Sequence, residues 1–248
     1  MEIKAAVCRA THVPVDIETI DIDRPLGREV LVRTVATGVC HSDLHVVDGD
    51  GRFPLDRGIV LGHEGAGIVE AVGDQVTALR PGDHVVACLS GFCGSCAQCL
   101  SGHPNVCVGG AVARSESAPP RLSKKGQGIP SFAGIGSYAE RMLLHENSLV
   151  KIDDDLPLDR AALVGCGVLT GVGAALRSAE LEAGQTVAVF GCGGVGLSIV
   201  QGARIGGARM IIALDRFDSK LEMARRVGAT HVVNTSNDDP GKAVRALT

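Results

Sequence analysis

Four cysteines, Cys93, Cys96, Cys99 and Cys107, share the short stretch FCGSCAQCLSGHPNVC at C-x2-C-x2-C-x7-C spacing. Thiolates this close in sequence can surround one Zn²⁺ tetrahedrally, and four protein ligands leave no open position, the mark of a structural site. Metal binding then supplies the folding energy of a loop that has no core of its own. Disulfides are the plainer alternative. Against them, MEIKAAVCRATHVPVD scatters Glu2, Lys4 and Arg9 through what would be a signal's apolar core, so a reducing compartment, the cytoplasm, is expected. An iron–sulfur cluster would use the same donors, but the spacing differs from the ferredoxin runs.

A second set is scattered: Cys40 in GVCHSDLH, His63 and Glu64 in LGHEGAG, and Cys166 in GCGVLTG. Two cysteines and a histidine are a known ligand set for a catalytic zinc that keeps its fourth position free. There the ion acts as a Lewis acid on a bound oxygen. Taken singly, each of these residues is more often a core or surface side chain. Ser42 alone reads as a turn hydroxyl and His45 as a surface histidine.

A third signal is VAVFGCGGVGLS, where Gly191, Gly193 and Gly196 form G-x-G-x-x-G after a strand-like run and before a helical one, with Gly194 and Val195 inside the turn. That context fits a dinucleotide pyrophosphate held at a helix N-terminus. Asp215 follows nineteen residues after Gly196, where an acid bonds the adenosine ribose and repels the extra phosphate of NADP. NAD is therefore expected, with Arg216 next door pulling the other way. Cys8, Cys88 and Cys192 take no part in any of these sets and read as small apolar side chains.

The elements that must position these residues fall into two patterns. IKAAVC, VDIETIDI, EVLVRTVATGV, GIVEAVG and HVVACL are β-branched runs broken by turn residues, which predicts a barrel-like β domain. Residues 108–137, rich in Gly, Ser and Pro, read as an extended surface loop. Further on, VAVFG, MIIALD and HVVNT are strands separated by the helices VGLSIVQGARIG and DSKLEMARRVG, the latter with Asp218 as N-cap and Gly228 closing it. That is a βαβαβ unit, half of a doubly wound fold. The expected domains are 1–167 and 168–248. A net charge of −4 and the lack of a basic, aromatic-rich stretch argue against a nucleic-acid partner. No apolar run approaches bilayer length, so no membrane partner is expected.

GVCHSD, GHEGAG, the four-cysteine loop, GCGVLTG and FGCGGVG occur in the order and approximate spacing of zinc-containing medium-chain alcohol dehydrogenases, which the whole chain resembles. The resemblance implies a GroES-like β-barrel catalytic domain followed by a Rossmann-type α/β domain, and two zinc ions per chain. It implies that Cys40, His63 and Cys166 hold the catalytic ion, that Glu64 sits beside it, and that Asp43 orients the ligating histidine. Ser42 and His45 would carry the alcohol proton through the cofactor ribose to solvent, His41 would contact the pyrophosphate, and Lys220 the ribose. Ser42, Leu89 and Phe132 match substrate-cleft positions. In the branch that oxidises a formaldehyde–thiol adduct, acids stand where this chain has Gly49 and Gly51, and an arginine where it has Gly110. Asp48 and Asp50 are adjacent, but ordinary primary alcohols rank first. Family members assemble as homodimers or homotetramers. They continue into a second mononucleotide-binding half, absent here, so this length is expected to turn over poorly. The alternative to an enzyme is a zinc- and nucleotide-binding fragment without turnover. A zinc-free quinone reductase is disfavoured by the complete ligand set.

Overall fold

In β1 (Glu2–Cys8) and β2 (Asp16–Ile22) apolar residues recur at alternate positions, so Ile3, Ala5, Val7, Ile20 and Ile22 are buried while Glu2, Lys4 and Asp21 stay exposed. The first half of β3 (Glu29–Thr37), EVLV, does not alternate because both its faces are covered. Leu31 joins the Ile3–Ile22 core, whereas Val30 and Val32 join a second core with Val69, Val85, Met142 and Leu144. The computed structural model describes residues 1–51, 53–110, 112–115 and 117–248, which divide into the units Met1–Cys166 and Gly167–Thr248.

The remaining strands of the first unit are β4 (Ile59–Val60), β5 (Gly65–Val72), β6 (His84–Ala87), β7 (Leu122–Lys124), β8 (Gln127–Gly128), β9 (Arg141–His145) and β10 (Leu149–Lys151). They form two antiparallel sheets, ordered β4-β1-β2-β7-β8 and β10-β6-β5-β3-β9. Residues 138–140 stitch the two together: Ala6 N–H donates to the Tyr138 carbonyl (2.8 Å), and Thr34 N–H to that of Glu140 (3.0 Å). A partly closed barrel results. Its short helices are α1 (His41–Asp48), α2 (Ala97–Leu100) and α3 (Leu158–Ala161).

The expected loop over 108–137, of which residues 111 and 116 lie outside the described residues, contains structure of its own elsewhere. Lys125 (φ 50°) and Gly126 (φ 81°) make the paired left-handed turn that closes the β7–β8 hairpin. Leu122 and Ile129 anchor it in the core. Arg114, in turn, bonds Asp23 (2.6 Å) and Glu29, and Arg121 bonds Glu29 (2.7 Å). Glycine and proline set the turns, but long-range ion pairs and two buried side chains hold the segment down.

A second ion cluster fastens the same hairpin. Glu18 accepts from Arg9 Nε and Nη2 (both 2.7 Å) and from Lys124 Nζ (2.6 Å). The Arg9 guanidinium, more than burial opposes, holds this carboxyl down at about 2 against an ordinary 4.5. A depressed folded-state pKa gives stability that is present above the ordinary value and lost as pH falls toward the folded one. Glu18→Gln is therefore expected to destabilise at neutral pH and to close the gap to wild type between about pH 5 and 2. Urea unfolding at several pH values checks this; a gap that does not shrink on acidification contradicts it.

In the second unit, β11 (Thr186–Phe190), β12 (Met210–Asp215) and β13 (His231–Asn234) form a parallel sheet in that order. Helices α4 (Gly167–Gly173), α5 (Gly194–Ile205), α6 (Asp218–Val227) and α7 (Pro240–Leu247) accompany it. One face of the sheet packs Val189, Ile211 and Ala213 against Val200, Ala203, Leu221 and Ala224. The other packs Ile212, Leu214 and Val233 against Ala243 and Val244. Burial on both faces explains why these strands read as continuous apolar runs. Asp218 is not the cap of α6: Phe217 holds that position, and Asp218 accepts from Asn234 Nδ2 (2.7 Å) instead. Among the described residues, no single helix is long and apolar enough to cross a membrane.

Candidate metal centres and dinucleotide turn

The four-cysteine loop folds back through left-handed Gly94 (φ 79°) and Gly102 (φ 85°), with Cys96 heading α2. Ligand sulfurs of Cys93, Cys96, Cys99 and Cys107 all lie within 4.8 Å of one another. Three of the separations are 3.5, 3.8 and 3.9 Å. Tetrahedral thiolates on zinc stand about 3.8 Å apart, given a Zn–S length near 2.3 Å, so the group fits the ion. Backbone N–H groups already point at the sulfurs, those of Ser95 and Cys96 at Cys93 (3.4 and 3.3 Å) and those of Cys93 and Gly109 at Cys107 (3.3 and 3.4 Å). The backbone N–H of Cys99, with that of Val108, draws the Cys96 thiol down to about 6. Burial and the neighbouring sulfurs push Cys99 up to about 11.

The scattered set also converges. One ligand atom each from Cys40, His63, Glu64 and Cys166 lies within 4.8 Å of the other three, and His63 and Glu64 are buried. Cys40 caps α1, His63 and Glu64 occupy the turn between β4 and β5, and Cys166 follows the tight helical turn Ala162–Gly165. Backbone fit sets these positions. A Cβ at Gly165 would crowd the Ala87 carbonyl (2.5 Å), and one at Gly38 would collide with the Glu64 carboxylate. Burial alone would raise the Cys40 thiol, but the N–H and hydroxyl of Ser42, with the His63 ring, outweigh it and hold the thiol below its ordinary value. The His63 imidazole is raised by the Asp43 carboxylate, against the effect of burial. Its Nδ1 lies 3.3 Å from Asp43 Oδ2, close for an ion pair but off the axis of a hydrogen bond. Two sulfurs, an imidazole and a carboxylate in one pocket are a donor set that suits zinc.

The other candidates of this unit lie on or beside α1. Ser42 reaches back to the Cys40 sulfur. His45, exposed, bonds Asp50 Oδ2 through Nδ1 (2.8 Å) and sits edge-on to His41 (4.9 Å). Phe132 packs edge-on against the His63 ring at 5.3 Å, and Leu89 is exposed. Sequence reasoning overlooked Tyr138, whose hydroxyl donates to Asp43 Oδ2 (3.2 Å), as well as Gly38 and Gly62. With Asp43 and Tyr138 separated by 95 positions in the chain, no local pattern links them.

In the second unit Gly191 (φ 88°) turns the chain out of β11, Gly193 caps α5, and a Cβ at Gly196 would collide with the Gly191 carbonyl. Around Gly193 and Gly194 the space is open, and Val195 is exposed on the first turn of α5. Asp215, at the end of β12, accepts from Cys192 N–H (2.8 Å) and Phe217 N–H (3.0 Å). Burial would raise this carboxyl, but those two donors and Lys220, 3.9 Å away, hold it below its ordinary value. It borders a cavity of about 330 Å³ together with Arg216, Phe217 and Lys220. The Arg216 and Lys220 charges stand 5.6 and 5.1 Å from the centre of the Phe217 ring.

Two family profiles match, the alcohol dehydrogenase GroES-like domain over residues 27–154 and the zinc-binding dehydrogenase over 194–248. The S-(hydroxymethyl)glutathione dehydrogenase of Saccharomyces cerevisiae is 43% identical over 94% of this chain and 62% of its own length. An NDMA-dependent alcohol dehydrogenase of Amycolatopsis methanolica is 42% identical over 100% of this chain and 67% of its own. The crystal structure of benzyl alcohol dehydrogenase from Acinetobacter calcoaceticus superposes with a TM-score of 0.90 at 39% identity, covering 100% of this chain and 68% of that one. The chain thus spans about two thirds of the length of these relatives. Profiles, relatives and the converging ligands agree: the chain belongs to the zinc-type alcohol dehydrogenases, with a GroES-like domain followed by a Rossmann-type one.

Proposed function

We propose that the protein is a zinc-dependent alcohol dehydrogenase that exchanges hydride reversibly between an alcohol and NAD⁺, giving an aldehyde or ketone. The observation that carries this reading is the meeting of Cys40, His63, Glu64 and Cys166, from three distant segments, within 4.8 Å. Cys40, His63 and Cys166 hold the catalytic ion and Glu64 stands beside it, while Cys93, Cys96, Cys99 and Cys107 hold a structural one, two per chain. When bound, the catalytic ion supplies Lewis acidity toward an alcohol oxygen. With the ion and cofactor bound, Ser42 would accept the alcohol's proton while releasing its own hydroxyl proton toward the cofactor ribose, from which His45, exposed and bonded to Asp50, would pass it to solvent.

In the second unit the turn Gly191–Gly196 and the N-terminus of α5 receive the pyrophosphate. Asp215 stays ionised, accepts the ribose hydroxyls beside Lys220, and disfavours the additional phosphate of NADP. Ordinary alcohols rank above a glutathione adduct, the substrate in the name of the yeast relative. Asp50 is already bonded to His45, and Gly51 and Gly110 offer neither an acid nor a cation. A cytoplasmic location is the expected one, where thiols stay reduced and free to hold metal. A homodimer or homotetramer is the expected assembly.

The expected result is two zinc ions per chain by atomic emission, with alcohol-dependent reduction of NAD⁺, slow at this chain length, that a chelator abolishes. Ethanol or benzyl alcohol should be preferred over S-(hydroxymethyl)glutathione. One zinc per chain, or turnover indifferent to chelation, would overturn the reading.

A further inference from the structure

Asp43 is held by two hydrogen-bond donors from different parts of the barrel and faces the ring of His63, the neighbour of one of them. Its Oδ1 accepts the Gly62 N–H (2.8 Å), and its Oδ2 accepts the Tyr138 hydroxyl (3.2 Å) while facing His63 Nδ1 (3.3 Å). The carboxylate is 4% exposed and His63 is 2% exposed, so water does not compete for these positions. Tyr138 is the chain's one tyrosine, and its backbone is fixed against the turn that carries His63. Tyr138 N–H donates to the Leu61 carbonyl (2.9 Å) and Ser137 N–H to that of Gly62 (3.0 Å). The ring also lies flush on Gly62, where a Cβ would come within 2.5 Å of Tyr138 Cδ1 and 2.6 Å of its backbone nitrogen. Gly62 itself is left-handed (φ 89°), so a side chain there is excluded twice over.

We propose that Tyr138 is a positioning residue for the catalytic metal, its hydroxyl pinning the Asp43 carboxylate so that Oδ2 stays aimed at the ring of His63. This rests on the zinc assignment above. A carboxylate bonded only through Oδ1 can swing about its χ2 torsion, which is soft; a second donor on Oδ2 closes that freedom. The orientation of His63 then depends on a chain of contacts running from β1 through residues 137–138 to α1. Removing the direct partner of a ligating histidine costs 10- to 100-fold in metal affinity in general. A residue acting one contact further out should have a smaller effect.

Tyr138→Phe keeps the ring and removes only the hydroxyl. In the full chain loaded with zinc, transfer of the catalytic ion to a chromogenic chelator is expected to quicken roughly three- to tenfold. The ion of the four-cysteine loop, as internal control, should leave at the wild-type rate. In an Asp43→Asn background, Tyr138→Phe should add nothing, because the two act through one contact. Cobalt substituted at the catalytic site should show a shifted ligand-field band in Tyr138→Phe, a change that lost packing alone would not cause. Wild type with two ions, a Tyr138→Phe chelation rate equal to wild type and an unmoved band would overturn the proposal while leaving the zinc assignment intact. Wild type with an ion only in the four-cysteine loop would overturn that assignment instead.

Discussion

Cys166→Ser should leave the protein with one zinc ion in place of two and lower alcohol-dependent NAD⁺ reduction by on the order of 10³-fold or more. A serine hydroxyl is nearly the size of a thiol but does not ionise near neutrality, so the pocket loses one of its two anionic sulfurs. The remaining Cys40, His63 and Glu64 hold an ion less tightly and in a different balance of charge. Folding should suffer little. Cys166 is half-buried, and the turn before it is set by Gly165 against the Ala87 carbonyl and by Ala161 and Ala162 in an apolar cluster. Metal analysis of dialysed protein beside a thermal melt decides the matter. Two ions retained at wild-type affinity would remove Cys166 from the ligand set.

Gly196→Ala should abolish NAD binding and destabilise the second unit by about 1–3 kcal/mol, the usual cost of overpacking. The added methyl would occupy the space of the Gly191 carbonyl, and both are backbone positions in a tight turn. No side-chain rotation can relieve that contact, so α5 must lift away from β11 and carry its N-terminus off the phosphate site. Gly193→Ala is the contrast. Gly193 has extended backbone (φ −77°, ψ −170°) and open space where its Cβ would stand. Its substitution should leave the melt unchanged and weaken NAD alone, by keeping the pyrophosphate from the backbone. Titration of NADH fluorescence and thermal melts of both variants separate the two effects. Equal loss of stability in both would show that the turn is read wrongly.

Several features of the site are legible in the sequence itself. The four-cysteine loop and the glycine turn are local: their ligands and donors lie within a few residues, so covalent spacing already restricts which geometry they can reach. The continuous apolar runs of β11 and β12 likewise announce burial on two faces. Other features resisted local reading. Asp218 has the chemistry of a helix cap, yet Asn234 on a neighbouring strand claims its carboxylate, and Phe217 takes the cap position. Residues 108–137 have the composition of a loop, but Glu29 and Asp23, far back in the chain, recruit Arg114 and Arg121 and give the segment a place.

Residue types and their order in the chain named the chemistry: thiolates and an imidazole for zinc, glycines ahead of a helix for a pyrophosphate, an acid at a strand end for a ribose. Only folding decided which atoms meet. Cys40, at the cap of α1, and Cys166, after the turn Ala162–Gly165, come together only in the folded chain, and Asp43 finds Tyr138 because residues 137–138 are hydrogen-bonded to the turn before His63. Spacing along a chain constrains neighbours; contacts across a hundred residues depend on every bend between them.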